Sequence, residues 1–371
     1  MSWEEATLHP RAFFNPVPMA PLISVIIPTY NRAKFLADAI TSIVGQTFPA
    51  DQFEILVVDN NASDETKTVV AEMIARHSSH AIRYFFEPKR GSVAARNRGA
   101  LEARGGILAY IDDDIRTTNN WLHAIDTVFQ DPSVHIAGGR ILLEYEVPPP
   151  RWLECFRMKH RAGYYLGTLG LLDLGDRCIH IDARFVWGGN FIIRREALFV
   201  SGGFHPDMFP KDLLHYRGDG ETGLAIRAKQ MGYKAWYIPE ALVFHRVPKE
   251  RMTYERFDNG YFRQGVSDSY RSIRNIFLDT GRTIKRRGMA GVMLAKSVET
   301  AKKQLRTMKH HFNVLMQRTD EEKALFRRFQ NEYWKGYRFH QEAVKREPAL
   351  LQWVLKKDYW DDTIPHSDFN D

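Results

Sequence analysis

The chain is predicted to fold as an α/β protein, a doubly wound, mostly parallel sheet flanked by helices, with a helical C-terminal extension. Three observations carry that expectation. Short apolar, β-branched runs alternate with amphipathic stretches at the spacing of strand–helix units. Several of those runs stop abruptly at an acid or a proline, and the ends of strands in open sheets are where ligands gather. No apolar run approaches the ~18–20 residues that a membrane span requires.

The first strand is LISVIIP (Leu22–Pro28), closed by proline. Asn31 can cap the next helix, where Phe35, Leu36, Ile40, Ile43 and Val44 form one apolar stripe. EILVVD (Glu54–Asp59) is a second strand, and Ser63 or Asp64 is placed to cap a helix with Val69, Val70, Met73 and Ile74 inward. IRYFF (Ile82–Phe86) is the third, followed by a turn at Gly91 and a helix over Ser92–Ala103. ILAYIDDDI, Ile107 to Ile115, is the fourth and the most informative. A buried strand running into Asp112, Asp113 and Asp114 needs positive charge nearby, and a hard divalent cation such as Mg²⁺ or Mn²⁺ supplies it. The bland alternative is an acidic turn capping the helix that starts near Asn119. Right-handed crossovers would bring Asp59 and Asp112–Asp114 to one edge of the sheet.

Further along, a helix is expected over Asn119–Gln130 and a strand over His135–Tyr145. Residues 146–182 carry VPPPRW, several aromatics and no clear period, which suits either a specificity loop or lid or a packed excursion. KAWYIPEALVFH (Lys234–His245) is expected to form two short strands ending at His245. Beyond Gly265 the chain should be helical. Val298, Ala301, Leu305, Met308, Phe312 and Leu315 form a stripe, and Thr319 with Glu322 makes a capping box.

Composition bounds the function. The 371 residues suffice for one large domain and an accessory region, and the net charge of +7 favours an anionic partner. The two cysteines, Cys155 and Cys178, have no metal-ligand spacing and give no disulfide framework. The opening MSWEEATLHP lacks the basic start and apolar core of a signal peptide, so a cytoplasmic protein is expected. From Arg282 to His311 there are nine Lys and Arg against one acid, so peripheral contact with an anionic membrane surface is one expectation. A solvated face is the other. The basic excess is concentrated there, which argues against nucleic acid.

PTYNR (Pro28–Arg32), VVDNNASDET (Val57–Thr66), RGSVAARNRGA (Arg90–Ala100) and YIDDDI (Tyr110–Ile115) occur in order, followed by WGGNFIIRREAL (Trp187–Leu198), GGF (Gly202–Phe204) and GDGETGLAIRAKQMGYK (Gly218–Lys234). Together they resemble family 2 glycosyltransferases of the GT-A fold. The resemblance covers about residues 20–265, leaving 1–20 as an arm, 266–371 as the extension and 146–182 as an insertion within the acceptor half. It implies a nucleotide-diphosphate sugar donor and a carbohydrate or lipid-linked acceptor. Thr29, Tyr30 and Asn31 on the first exit loop would contact the nucleoside, Asp59 would accept from its base, and Arg96 and Asn97 would serve the nucleotide. Asp112 and Asp113 would reach the nucleotide and ribose. Asp114 would bind Mn²⁺ or Mg²⁺, with Asp112 and His245 as further candidate ligands. Gly189 and Asn190 would lie under the donor sugar.

The resemblance also implies an inverting transfer with a carboxylate base at a helix start. Counted back from Gly232-Tyr233, the family's Asp position is held by Glu221, one methylene longer, and the preceding Glu position by Gly220. Asp219 is the other candidate base. Two further functions compete. A nucleotidyltransferase would normally show a Gly-rich basic loop where PTYNRAK stands, and a non-catalytic nucleotide-sugar-binding subunit need not keep both Glu221 and Asp114. A processive polymer synthase is disfavoured, since no QxxRW-like motif is found and YFRQG (Tyr261–Gly265) is not one.

Overall fold

A computed structural model describes residues 22–283, 319–361 and 363–365. The N-terminal half is strands β1 (Ile23–Thr29), β2 (Phe53–Asp59), β3 (Ala81–Phe86) and β4 (Ile107–Tyr110), interleaved with helices α1 (Ala33–Val44), α2 (Thr66–Arg76) and α3 (Ser92–Glu102). These four strands lie in the order β3-β2-β1-β4 and pair in parallel throughout. All seven residues of β1 and of β2 are buried. Successive side chains of a strand point to opposite faces. Ile23, Val25 and Ile27 therefore pack with α1, α2 and α4 (Trp121–Phe129), while Ile26 packs with α3 and the helices beyond it. Two apolar layers result, one on each face of the sheet, as the doubly wound expectation requires.

The second half is mixed. After β5 (Ile115–Thr117) and β6 (Ile136–Tyr145) come four short strands, β7 (Met158–His160), β8 (Gly163–Leu166), β9 (Leu171–Asp173) and β10 (Ile179–Ile181). β11 (Phe191–Arg194) lies antiparallel between β4 and β6, and β12 (Ala235–Val247) runs parallel to β6. The longest ladders, β1–β2, β2–β3 and β6–β12, are all parallel.

Several expectations need correction. The Ile107–Ile115 run is not one strand: β4 ends at Tyr110 and the chain resumes as β5 against β12, so Asp112–Asp114 occupy the break, where Asp114 O accepts from Arg246 N–H of β12 at 3.0 Å. Asn31 does not cap α1. It has φ +53°, and its Oδ1 accepts from Ser63 N–H at 2.7 Å. The cap comes from across the fold, where Asp64 Oδ2 accepts from Ala33 N–H at 3.0 Å and its other oxygen accepts from Thr66 N–H at 3.1 Å. The Lys234–His245 run forms part of a single strand, β12 from Ala235 to Val247, with a register shift between Ile238 and Val243 in place of a second strand. Residues 146–182 are not a loose lid. Strands of three or four residues are too short to show a period, and Leu153, Phe156, Leu166, Leu169 and Leu171 form a core with Val247, Phe257 and Phe329.

That core extends into the C-terminal helices. Helix α7 (Tyr254–Thr283) contains Gly265, so the expected boundary there falls inside one helix. The helix Asp320–Arg346 packs along α7, and its start carries the expected capping box: Thr319 Oγ1 accepts from Glu322 N–H while Glu322 accepts from Thr319 N–H. The two helices touch closely. A Cβ on Gly265 would stand 2.0 Å from Tyr333 O, and one on Gly336 would stand 1.9 Å from Phe262 O. Both the N-terminal arm and the basic stripe running to Leu315 lie outside the described residues. Among the described residues no helix is long and apolar enough to cross a membrane.

Candidate active site

The strand ends of the parallel half, the Gly188–Asn190 turn, the start of α6 (Gly220–Gln230) and one face of α7 enclose a cavity of about 810 Å³. Two of the three acids, Asp112 and Asp113, stand in its wall. Asp112 is the most open, its side chain 38 % exposed, and it pairs with Arg96 at 3.0 Å. Asp113 is buried, accepting from Thr29 Oγ1 at 2.8 Å and pairing with Arg32 at 3.1 Å. Burial pushes its carboxyl up to about 7 and the charge of Asp114 adds to this, against the pull of Arg32. Asp114 lies behind, with Arg32 at 2.6 Å, His245 Nε2 at 3.4 Å and Arg251 at 3.5 Å. Against the push of burial, His245, Arg251 and Arg32 hold its carboxyl well below the usual carboxylate range. Asp114 Oδ1 is buried without a hydrogen-bond partner. His245 Nδ1 is 2.7 Å from Leu169 O, so Nδ1 carries a proton, and Nε2 faces Arg251 and Asp114.

Glu221 stands in the first turn of α6, where the helix dipole favours an anion. Its Oε1 accepts from Gly188 N–H at 3.3 Å, and Arg96 Nη1 is 3.5 Å from Oε2. Arg96 therefore bridges Asp112 and Glu221. It lies so close to the Gly188–Gly189 backbone that a Cβ on Gly188 would be 2.5 Å from Nη2, so a side chain there would push the guanidinium aside. Burial raises the Glu221 carboxyl; Arg96 opposes this and the neighbouring Asp207 reinforces it.

The sequence model described as Glycosyl transferase family 2 matches residues 24–199. Over that stretch, a little under half of its length, the chain resembles this family. Among curated relatives, the glycosyltransferase AglE of Haloferax volcanii is 33% identical over 125 residues, 34% of this chain and 41% of that protein. The GalNAc(5)-diNAcBac-PP-undecaprenol β-1,3-glucosyltransferase of Campylobacter jejuni is 33% identical over 124 residues, 33% of this chain and 39% of that protein. The chain thus spans about two fifths of the length of these two relatives. A solved mannosyltransferase of Pyrobaculum calidifontis, in complex with GDP-Man and Mn²⁺, superimposes at TM-score 0.48 with 20% identity, covering 93% of this chain and 88% of that one. That likeness is too loose to carry an argument.

Of the residues that the family resemblance singles out, Thr29, Tyr30, Arg96, Asp112, Asp113, Gly189, Glu221 and His245 line the cavity. Tyr30 is exposed there and Asp114 is reached from behind Asp113. Five others are not in its wall: Asn31, whose Oδ1 accepts from Ser63 N–H, with Asp59, Asn97, Asn190 and Asp219. Asp59 has both oxygens engaged, accepting from Tyr84 Oη at 2.8 Å and Ala62 N–H at 2.7 Å, and Asn60 and Asn61 face the cavity in its place. Asn97 donates to Tyr359 O and accepts from Phe204 N–H, joining the C-terminal segment to the GGF loop. Asn190 accepts from Trp121 Nε1 and donates to Ala241 O and Arg140 O. Asp219 accepts from His205 Nδ1 at 2.6 Å and pairs with Arg271 at 3.2 Å, sealed within the protein. Several site residues were missed, among them the Asn60–Asn61 loop, the arginines of α7 and Asp207. Asp207, three residues past the GGF motif, lines the cavity, influences Glu221 and pairs with Arg217 at 2.6 Å. Its only sequence signal is an acid in an irregular stretch between prolines.

Proposed function

We propose that this chain moves a sugar from a nucleotide-diphosphate sugar to a hydroxyl of a carbohydrate or lipid-linked acceptor, with a divalent metal at the diphosphate and inversion at the sugar carbon. One observation carries the reading. Arg96 ties Asp112, at the end of the parallel half, to Glu221, at the start of α6, across a single cavity. A nucleotide-facing acid and an acceptor-facing base then address the same space from two different elements. The family match over residues 24–199 supports the donor half. The Campylobacter relative, whose name specifies a polyprenyl-diphosphate-linked acceptor, supports the lipid-linked acceptor class.

Glu221 is the proposed base. As the acceptor oxygen bonds to the anomeric carbon, its proton passes to the Glu221 carboxylate and the bond from that carbon to the diphosphate oxygen breaks. One such displacement inverts the centre. A carboxyl held above its ordinary range by burial is a stronger base than an exposed one, while Arg96 and the Gly188 N–H keep it ionised and oriented. Tyr30 and the Asn60–Asn61 loop would receive the nucleoside.

A divalent cation at Asp114 fits the residues present once Arg251 moves off His245 Nε2, which its guanidinium now contacts. A buried carboxylate oxygen without a hydrogen-bond partner and an imidazole nitrogen stand 3.4 Å apart, and the imidazole is oriented by a backbone carbonyl, as metal-ligating histidines are. Among the described residues no third His, Cys, Asp or Glu converges there, so diphosphate oxygens and water would complete the set. Bound, the metal would neutralise charge on the departing diphosphate. Arg32 and Arg251 meanwhile hold the Asp113–Asp114 pair in place.

The test is Glu221→Gln. Turnover with an identified donor–acceptor pair should fall about 10²–10⁴-fold, with nucleotide affinity kept. Asp114→Ala should remove the Mn²⁺ dependence of nucleoside diphosphate binding, read by thermal shift. Unchanged turnover in the first variant would leave a binding module as the better reading.

A further inference from the structure

The cavity holds more arginine than its acids account for. Arg32 and Arg251 face Asp113 and Asp114, Arg96 faces Asp112 and Glu221, and Arg271 pairs with Asp219 and Asp268. Two arginines on α7, Arg256 and Arg263, line the same cavity and form no ion pair among the described residues. They stand seven residues apart, two turns of helix and ~10 Å along its axis, so they share one face. Their surroundings differ. Arg256 feels the charges of Arg251, Arg263, Arg32 and Arg217, whereas Arg263 feels Arg217 and Asp207, the neighbour of Glu221. Desolvation and these like charges push both guanidinium groups below the ordinary arginine range, so each gains from an anion that arrives with the ligand.

The donor does not meet this need. On the reading proposed above, its diphosphate carries two negative charges and is matched by a divalent cation at Asp114, leaving the arginines of α7 unmatched. We propose that Arg256 and Arg263 form an acceptor-side subsite for a phosphate or diphosphate group, so that the acceptor is phosphorylated and its phosphate lies along α7 while its hydroxyl faces Glu221. Planar guanidinium groups suit phosphate oxygens by paired N–H donors. The same chemistry is offered by a soluble sugar phosphate or by a polyprenyl phosphate. This inference rests on the transferase reading of the cavity but concerns a part of it that the donor does not use.

The experiment uses the full chain loaded with saturating Mn²⁺ and UDP or GDP, then titrated by calorimetry with glucose 1-phosphate in one arm and farnesyl phosphate in detergent in the other. The wild type should bind at least one phosphate probe. The double variant Arg256→Gln/Arg263→Gln should lose about tenfold or more in affinity for it, a size expected of charge-assisted contacts, while nucleotide affinity stays within about threefold. The double lysine variant, which keeps charge, should fall between and covers the case in which the glutamine pair does not fold. Absence of phosphate binding by the loaded wild type, or loss of nucleotide affinity in the variants, overturns the subsite. If neither nucleotide binds, the transferase reading fails instead. The same titrations on the unloaded chain then decide the subsite: it stands if the variants lose phosphate affinity and falls if they do not.

Discussion

Asp219 and Glu221 stand two residues apart at the start of one helix and meet opposite surroundings. Asp219 turns inward to His205 and Arg271, which hold its carboxyl down to about 2 against the push of burial. Glu221 turns to the cavity and is raised. Asp219→Asn should therefore act on stability, costing roughly 1.5–3 kcal/mol as charged hydrogen bonds are lost, measured by urea denaturation, with a much smaller effect on turnover than Glu221→Gln. His205 adds a pH signature. Burial lowers its pKa from 6.5 to about 4, against the pull of Asp219. The unfolded chain then binds more protons than the folded one between those values, so stability from this group is present above pH ~6.5 and lost as pH falls toward ~4, by roughly 3 kcal/mol. Comparing urea midpoints at pH 7 and pH 5 should show the loss, and His205→Gln should flatten it.

At the scale of elements, helices are set against their neighbours by small residues. Gly99 of α3 lies on β1, where a Cβ would be 2.4 Å from Ile26 Cγ2. Gly265 and Gly336 let α7 and the Asp320–Arg346 helix meet backbone to side. Gly336→Ala should force those helices apart, at a cost of about 1–3 kcal/mol for overpacking. Because Arg256 and Arg263 ride on α7, the same change should also weaken phosphate-probe binding. Thermal melts and the calorimetric titration read the two effects separately.

At the scale of the whole molecule, the C-terminal segment closes back on the half that holds the cavity. Tyr359 O accepts from Asn97, Tyr359 N–H donates to Gly202 O, and Arg227 of α6 donates to Lys357 O and Gly203 O. Asn97 is thus a joint between α3, the GGF loop and the extension. Asn97→Ala should lower stability by about 1–3 kcal/mol, the cost of leaving buried partners unsatisfied. Nucleotide affinity should be nearly unchanged. A nucleotide-contacting Asn97 would give the reverse pattern, so the two measurements decide its role.

The residues themselves determined the parallel half almost strand by strand, the capping box at Thr319 and the gathering of Asp112–Asp114 at a strand end. Those features follow from local periodicity and from backbone groups that must be satisfied within a few residues. The insertion stayed illegible because three-residue strands carry no period and are held by residues such as Phe257 and Phe329, far along the chain. Which polar side chains face the cavity was likewise decided by tertiary structure alone. Asp59 is taken by Tyr84, Asn97 by Tyr359 and Asn190 by Trp121, each partner more than twenty residues away. A carboxylate or amide in a motif shows what it can bond to. Only the packed chain decides which partner reaches it first, since a buried polar group takes the nearest donor or acceptor and a ligand receives what remains.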